Sequence, residues 1–217
     1  LLLTSAPASV AAACGIDALI HTEESYVSLD ASPFSEAMSE KAMELIGRSI
    51  RTYVADRSNL EAASDMLAGS LFAGIAFSWA RLGNIHAMSH PVSAFFDVPH
   101  GVANAVLLPV VAEYNALADH GRYYKIYNYI SEIPAHEDEF EPMMLVDAIR
   151  SLCKAIGIPA NLTEAINQAG KTGSISRKTI EEKIEAMAAD AMKSGNIAVN
   201  PRSSRQCDIE MLYRKAL

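Results

Sequence analysis

Residues 59–83 read NLEAASDMLAGSLFAGIAFSWARLG. Apolar residues recur at helical spacing along this run, so we expect a helix over 59–82, closed by Gly83. Its apolar residues cover most of the circumference. That pattern marks a central, buried helix. Upstream, residues 8–29 are Ala-rich with few β-branched residues, and Pro33 opens a segment with Phe34, Met38, Met43, Leu45, Ile46 and Ile50 on apolar spacing. Downstream come residues 84–94, a turn at Asp97-Val98-Pro99, and a helix from about Gly101 to Leu117. Further helices are expected over 123–131, 142–156, 161–169, 176–193 and 207–216. Pro and Gly punctuate the joints at Pro134, Gly157-Ile158-Pro159, Gly170 to Gly173 and Asn200-Pro201. Strand signals are nearly absent, and neither an internal repeat nor a linker divides the chain. The fold class expected is all-α, as one helical domain over residues 1–217.

Half of the 217 residues are apolar, enough to fill a core, which excludes global disorder. Lys plus Arg number 18 against 26 Asp plus Glu, a net charge of −8 without a basic run. Such a chain is a poor partner for a phosphate backbone, so no nucleic acid is expected. We find no apolar stretch of bilayer-spanning length, and expect no membrane partner. Cys14, Cys153 and Cys207 are far apart and form no CxxC. They suit neither a disulfide framework nor a cysteine zinc site, and a reducing, cytoplasmic setting fits them best. The opening LLLTSAPASVAAAC superficially resembles a lipoprotein signal, but it lacks a basic segment, the first Lys being Lys41. The absence of a leading Met leads us to expect further residues upstream. Residues 165–172, AINQAGKT, end like a phosphate-binding loop, yet Ala165 stands where that loop needs Gly, and a helix precedes it. We read it as a helix end with Gly170 as its C-cap.

Four of the six histidines fall in two places: His21, four residues after Asp17, and His86-Ala-Met-Ser-His90 with Val98-Pro99-His100 after it. Asp17 and His21 are spaced i,i+4, so both project from one helix face and can grip one ion. His86 and His90 repeat that spacing, and His100 follows a Pro turn at the mouth of the next helix. Each piece alone has a plainer reading. A carboxylate and a histidine four apart are usually a hydrogen-bonded pair, and a lone His86 in an apolar setting is usually a core histidine bonded to a carbonyl. His120 and His136 lie in polar stretches and read as solvated. Clustering among small residues changes the balance. One carboxylate with several imidazoles suits a divalent first-row metal such as iron(II) or zinc.

The stretches CGIDALIHTEESY (14–26), AGSLFAGIAFSWARLGNIHAMSHPVSAFFDVPHGVANAVLLPVVAEYN (68–115) and NPR (200–202) carry a resemblance. The chain resembles the iron-containing (group III) alcohol dehydrogenases, over essentially its whole length but only in the C-terminal part of their architecture. The resemblance implies the helical, metal-binding half of a two-domain enzyme, without the N-terminal α/β domain that binds NAD or NADP. It implies metal ligands at Asp17, His21, His86 and His100. The presence of His21 tilts the metal towards Fe2+, with Zn2+ as the alternative. It places His90 near nicotinamide and substrate, as a proton relay or a contact to either. Asn104 and Glu23 are candidates to orient the ligands. The implied reaction is reversible, NAD(P)-linked interconversion of a small alcohol with its aldehyde or ketone in a homo-oligomer, the isolated fragment being inactive without its cofactor domain. One departure is Pro91-Val92-Ser93 after His90, where many members have Leu-Gly-Ala or Pro-Leu-Gly. Two rival readings are a helical metal-dependent hydrolase, which usually shows an adjacent His-Asp pair absent here, and a non-catalytic structural or oligomerisation module. Met66 and Met88 read as core, and so mostly do Phe77, Trp79, Phe95 and Phe96.

Overall fold

The computed structural model describes residues 2–170 and 174–217. Among them are eleven α-helices and no strand. Helices α1 (Ala8–Val27), α2 (Pro33–Ala55) and α3 (Leu60–Ala80) pack pairwise on one another as a three-helix bundle. Helix α5 (His100–Asn115) lies on α1, and α4 (Asn84–Phe96) packs on α5. Helix α6 (Arg122–Ile130) bridges α2 to α7 (Pro142–Ala155), and α7 and α8 (Leu162–Ala169) cover α5. Last come α9 (Arg177–Glu181), α10 (Ile184–Ala191) and α11 (Gln206–Ala216), with α10 resting on α4 and α11 on α5. A cluster of buried apolar side chains runs from Ala11 to Ala216, with Met66 and Met88 inside it.

The expected helix starts follow from local chemistry. Ser32 and Ser35 cap α2 reciprocally with Pro33 in its first turn, Asn59 caps α3, and Asn161 caps α8. Gly170 follows α8 as expected, at φ −63° rather than left-handed. Lys171 and Thr172 of the phosphate-loop-like run lie outside the described residues. The helix expected over 176–193 is divided. At Lys183 the ladder tightens to a bond from its N–H to the Ile180 carbonyl, and the exposed charges of Glu181 to Lys183 supply no apolar contact to hold a regular turn.

Four expectations need correction. Helix α3 is not central. Its small residues Ala62, Ala63, Gly69, Ala73, Ala76 and Ala80 face inward together with Met66, while Leu60, Leu67, Leu71 and Trp79 face outward. Small side chains allow close approach to α1 and α2, so the large ones are left on the far face. Trp79 is 69% exposed and Phe95 40%, so neither is core. Gly83 does not close α3. Arg81, at φ 63°, ends that helix, and Gly83 begins the next. Finally, α3 and the stretch His100–Ala118 are each long and apolar enough, by length and composition alone, to cross a bilayer. The second of these stretches is 61% buried.

Two details seat α5. Pro109 cannot donate to the Ala105 carbonyl, and the Cys153 thiol lies 4.0 Å from that oxygen. At the other end a Cβ on Gly101 would stand 2.3 Å from the Ala13 carbonyl oxygen. Only glycine allows this approach, which brings His100 down onto α1 one turn before Asp17.

Candidate metal centre

Three helices deliver the candidate ligands. Asp17 and His21 come from α1, His86 from the first turn of α4, and His100 from the start of α5. The Asp17 carboxylate is the hub. Its Oδ1 is 3.7 Å from His86 Nε2 and 3.8 Å from His100 Nε2, and its Oδ2 is 3.8 Å from His21 Nε2. Ligands about 2.1 Å from a tetrahedral metal stand about 3.4 Å apart. The spacing is therefore close to what one ion requires. The His21 and His86 rings stack at 4.7 Å, and the His86 and His100 centroids are 5.3 Å apart. His86 is buried, Asp17 and His21 are partly so, and His100 opens to solvent.

Asn104, from the second turn of α5, lies among these side chains. Its Nδ2 is 2.5 Å from Asp17 Oδ1 and 3.0 Å from both His86 Nε2 and His100 Nε2. An amide nitrogen has two protons and cannot satisfy three acceptors. A cation can, and this donor set fits a divalent metal. Asn104 Oδ1 is buried without a hydrogen-bond partner among the described residues.

The orienting carboxylate is not Glu23. It is Glu24, whose Oε2 is 2.5 Å from His86 Nδ1 and whose Oε1 accepts the Ile85 N–H at 2.6 Å. A carboxylate on Nδ1 fixes the tautomer and leaves Nε2 free to face Asp17. Helical spacing was the signal available in the sequence. Asp17, His21 and Glu24 are i, i+4 and i+7 on one face, and Glu23 is a third of a turn away.

Electrostatics follow from packing. Burial raises the Asp17 carboxyl, but the nearby His86 imidazole, the charge of His21 and the Asn104 amide outweigh it and hold it at about 2. Burial pushes His21 down to about 4. Burial also opposes a charge on His86, yet Glu24 and Asp17 prevail and raise it to about 9. A metal bound there must displace that proton. His90 lies at the rim. Its ring stacks on His100 at 5.4 Å and is 6.4 Å from His86, and burial together with those two neighbours lowers its proton affinity. The Phe77 ring stands 4.7 Å from His21 and walls that side. His120 and His136 are exposed, as expected.

Glu23 points instead into the helix packing, where no hydrogen bond to its carboxyl is found among the described residues. Burial, then the charge of Glu24, pushes it from 4.5 up to about 8. Its neutral form favours folding below pH 4.5, and that contribution is lost as pH rises towards 8. Glu23→Gln, neutral throughout, is expected to stabilise the protein at pH 9 by on the order of 3 kcal/mol and to do little at pH 4. Melting curves at the two pH values check this. Equal effects at both would contradict it.

Residues 11–217 match the model of the Fe-containing alcohol dehydrogenase family, C-terminal part. The chain belongs to that family. It is 39% identical over 220 residues to the 1,3-propanediol dehydrogenase of Citrobacter freundii, covering 100% of this chain and 53% of that protein. It is 33% identical over 216 residues to the lactaldehyde reductase of Escherichia coli K12, covering 99% and 53%. A crystal structure of 1,3-propanediol oxidoreductase superposes with a TM-score of 0.88 at 38% identity, covering 100% of this chain and 54% of the other. The chain thus spans about half the length of the curated relatives it matches. The all-helical architecture is that of the C-terminal domain of the two-domain Fe-containing alcohol dehydrogenases.

Proposed function

We propose that residues 1–217 form the metal-binding, substrate-facing domain of an NAD(P)-dependent alcohol dehydrogenase acting on a small alcohol or aldehyde. The observation that carries this is that His21, His86 and His100, from three different helices, each stand within 4 Å of the Asp17 carboxylate, with Asp17, His21 and His86 forming the tightest group. Neither rival reading accounts for it, since a structural module needs no such convergence and the hydrolase pattern needs an adjacent His-Asp pair. Iron(II) is the metal proposed, with zinc as the alternative. A divalent metal held there supplies Lewis acidity towards a substrate oxygen, and the nicotinamide cofactor is bound mainly outside these residues.

The residues of this chain have distinct parts. Asp17 contributes the negative charge that balances a dication. Glu24 and Asn104 hold His86 and Asp17 in register. Phe77 keeps water from the His21 side. His100 faces solvent, so the open side lies where His90 stands. His90 is largely neutral at neutral pH and can accept the hydroxyl proton of an alcohol or return it to an aldehyde oxygen. The free thiols Cys14, Cys153 and Cys207 support a cytoplasmic setting.

The test is nicotinamide reduction by the full-length protein with short-chain alcohols, before and after metal removal and reloading under anaerobic conditions. No metal-dependent turnover with any of them would overturn the reading. His90→Ala is expected to lower kcat roughly 100-fold or more and to flatten one limb of the pH–rate profile. An unchanged rate and profile would remove His90 from proton transfer.

A further inference from the structure

Helix α4 carries His86 in its first turn, yet Gly83 offers no side chain to cap that helix. Its leading N–H groups are met by side chains from distant parts of the chain. The Asn84 N–H donates to Asn200 Oδ1 at 3.2 Å, and the Ile85 N–H donates to Glu24 Oε1 at 2.6 Å. Both acceptors press on one place. A Cβ on Gly83 would stand 2.9 Å from Asn200 Oδ1 and 3.0 Å from Glu24 Oε1. The glycine is therefore what lets the two caps reach the backbone.

Asn200 is itself held firmly. It is 2% exposed. Its Nδ2 donates to Asn115 Oδ1 at 2.8 Å and to the Arg202 carbonyl at 2.7 Å, and its Oδ1 also accepts from Asn115 Nδ2 at 3.2 Å. Asn115 ends α5, the helix that begins with His100. The side chain thus joins the start of the helix bearing His86 to the end of the helix bearing His100. Asn84 adds a second tie, donating from Nδ2 to Ser204 Oγ at 2.8 Å.

We propose that Asn200 is a positioning residue for the metal centre, capping α4 from across the fold and so setting where His86 Nε2 points. This rests on the reading of Asp17, His21, His86 and His100 as ligands. An N-cap acceptor is a modest interaction by itself. Its leverage comes from position, because His86 lies two residues beyond Asn84 and ligand geometry is sensitive to groups that do not touch the metal. Arg202 provides the comparison. It belongs to the same joint, stacks 3.8 Å over the Tyr114 ring and donates to the Tyr114 carbonyl, but among the described residues its side chain makes no hydrogen bond to α4.

The experiment is cobalt(II) titration of the metal-stripped full-length protein, read as affinity and as the visible absorption spectrum of bound cobalt, with melting curves alongside. Asn200→Ala is expected to bind cobalt(II) roughly 10–100-fold more weakly, with altered bands. Arg202→Ala is expected to melt earlier while keeping wild-type affinity and bands. Wild-type affinity and spectrum in Asn200→Ala would overturn the proposal, and so would an equal loss in Arg202→Ala, which would mean general loosening. If Asn200→Ala does not fold, Asn200→Ser takes its place under the same outcomes, since its shorter side chain cannot span to the Asn84 N–H. Failure of the wild-type protein to bind cobalt(II) would instead overturn the ligand reading, and the role of Asn200 with it.

Discussion

Asp17→Ala is expected to abolish stable metal binding. Asp17 is the carboxylate from which all three imidazole nitrogens are measured, at 3.7 to 3.8 Å. Removing it leaves neutral imidazoles to hold a dication without a compensating charge. It also strips the Asn104 amide of its shortest contact, at 2.5 Å. Losing a partner that only orients a ligand costs roughly 10–100-fold in affinity. Losing the anionic ligand itself should exceed that. Anaerobic metal analysis after purification checks it. Near one iron or zinc per chain is expected for the wild type and near none for Asp17→Ala, even after loading. Metal retained at the wild-type level would show that the site lies elsewhere. His100→Ala should fall in the same direction, although the more exposed His100 side chain makes it the easier ligand for water to replace.

The second large effect is expected from Glu24→Ala. Glu24 and His86 are both nearly fully buried, and their contact is 2.5 Å. The same carboxylate accepts the Ile85 N–H. Truncation leaves a buried imidazole and a buried amide without partners. Removing one member of a buried pair typically costs about 3–5 kcal/mol, because the other is left uncompensated. In a chain of this size that corresponds to a fall of roughly 10 °C in melting temperature. Metal affinity should drop as well, by roughly 10–100-fold. Glu24→Gln keeps one acceptor and should lie between wild type and Glu24→Ala on both measures. A melting temperature unchanged in Glu24→Ala would refute the assignment. The contrast with Glu23 is sharp: two adjacent glutamates on α1 are expected to respond to substitution with opposite signs. One is bonded twice within the candidate site, and the other is buried where burial and Glu24 disfavour its charge.

Much of this molecule was legible in its sequence. The helical period and the Pro and Gly joints act between residues close along the chain, so the all-α architecture follows from them. The i,i+4 spacing of Asp17 and His21 likewise dictates a shared face once a helix forms. Face selection in α3 was not legible. That helix is apolar nearly all round, so periodicity carries no direction, and only packing against α1 and α2 turned its alanines in and Trp79 out. The supports of the candidate site were hidden for a related reason. Glu24 meets the Ile85 N–H 61 residues away, Asn104 meets Asp17 87 residues away, and Asn200 meets Asn84 116 residues away. Local propensity says nothing about such pairs. They exist because helix packing brings α1, α4, α5 and the segment after α10 to one place, where each buried donor must find an acceptor.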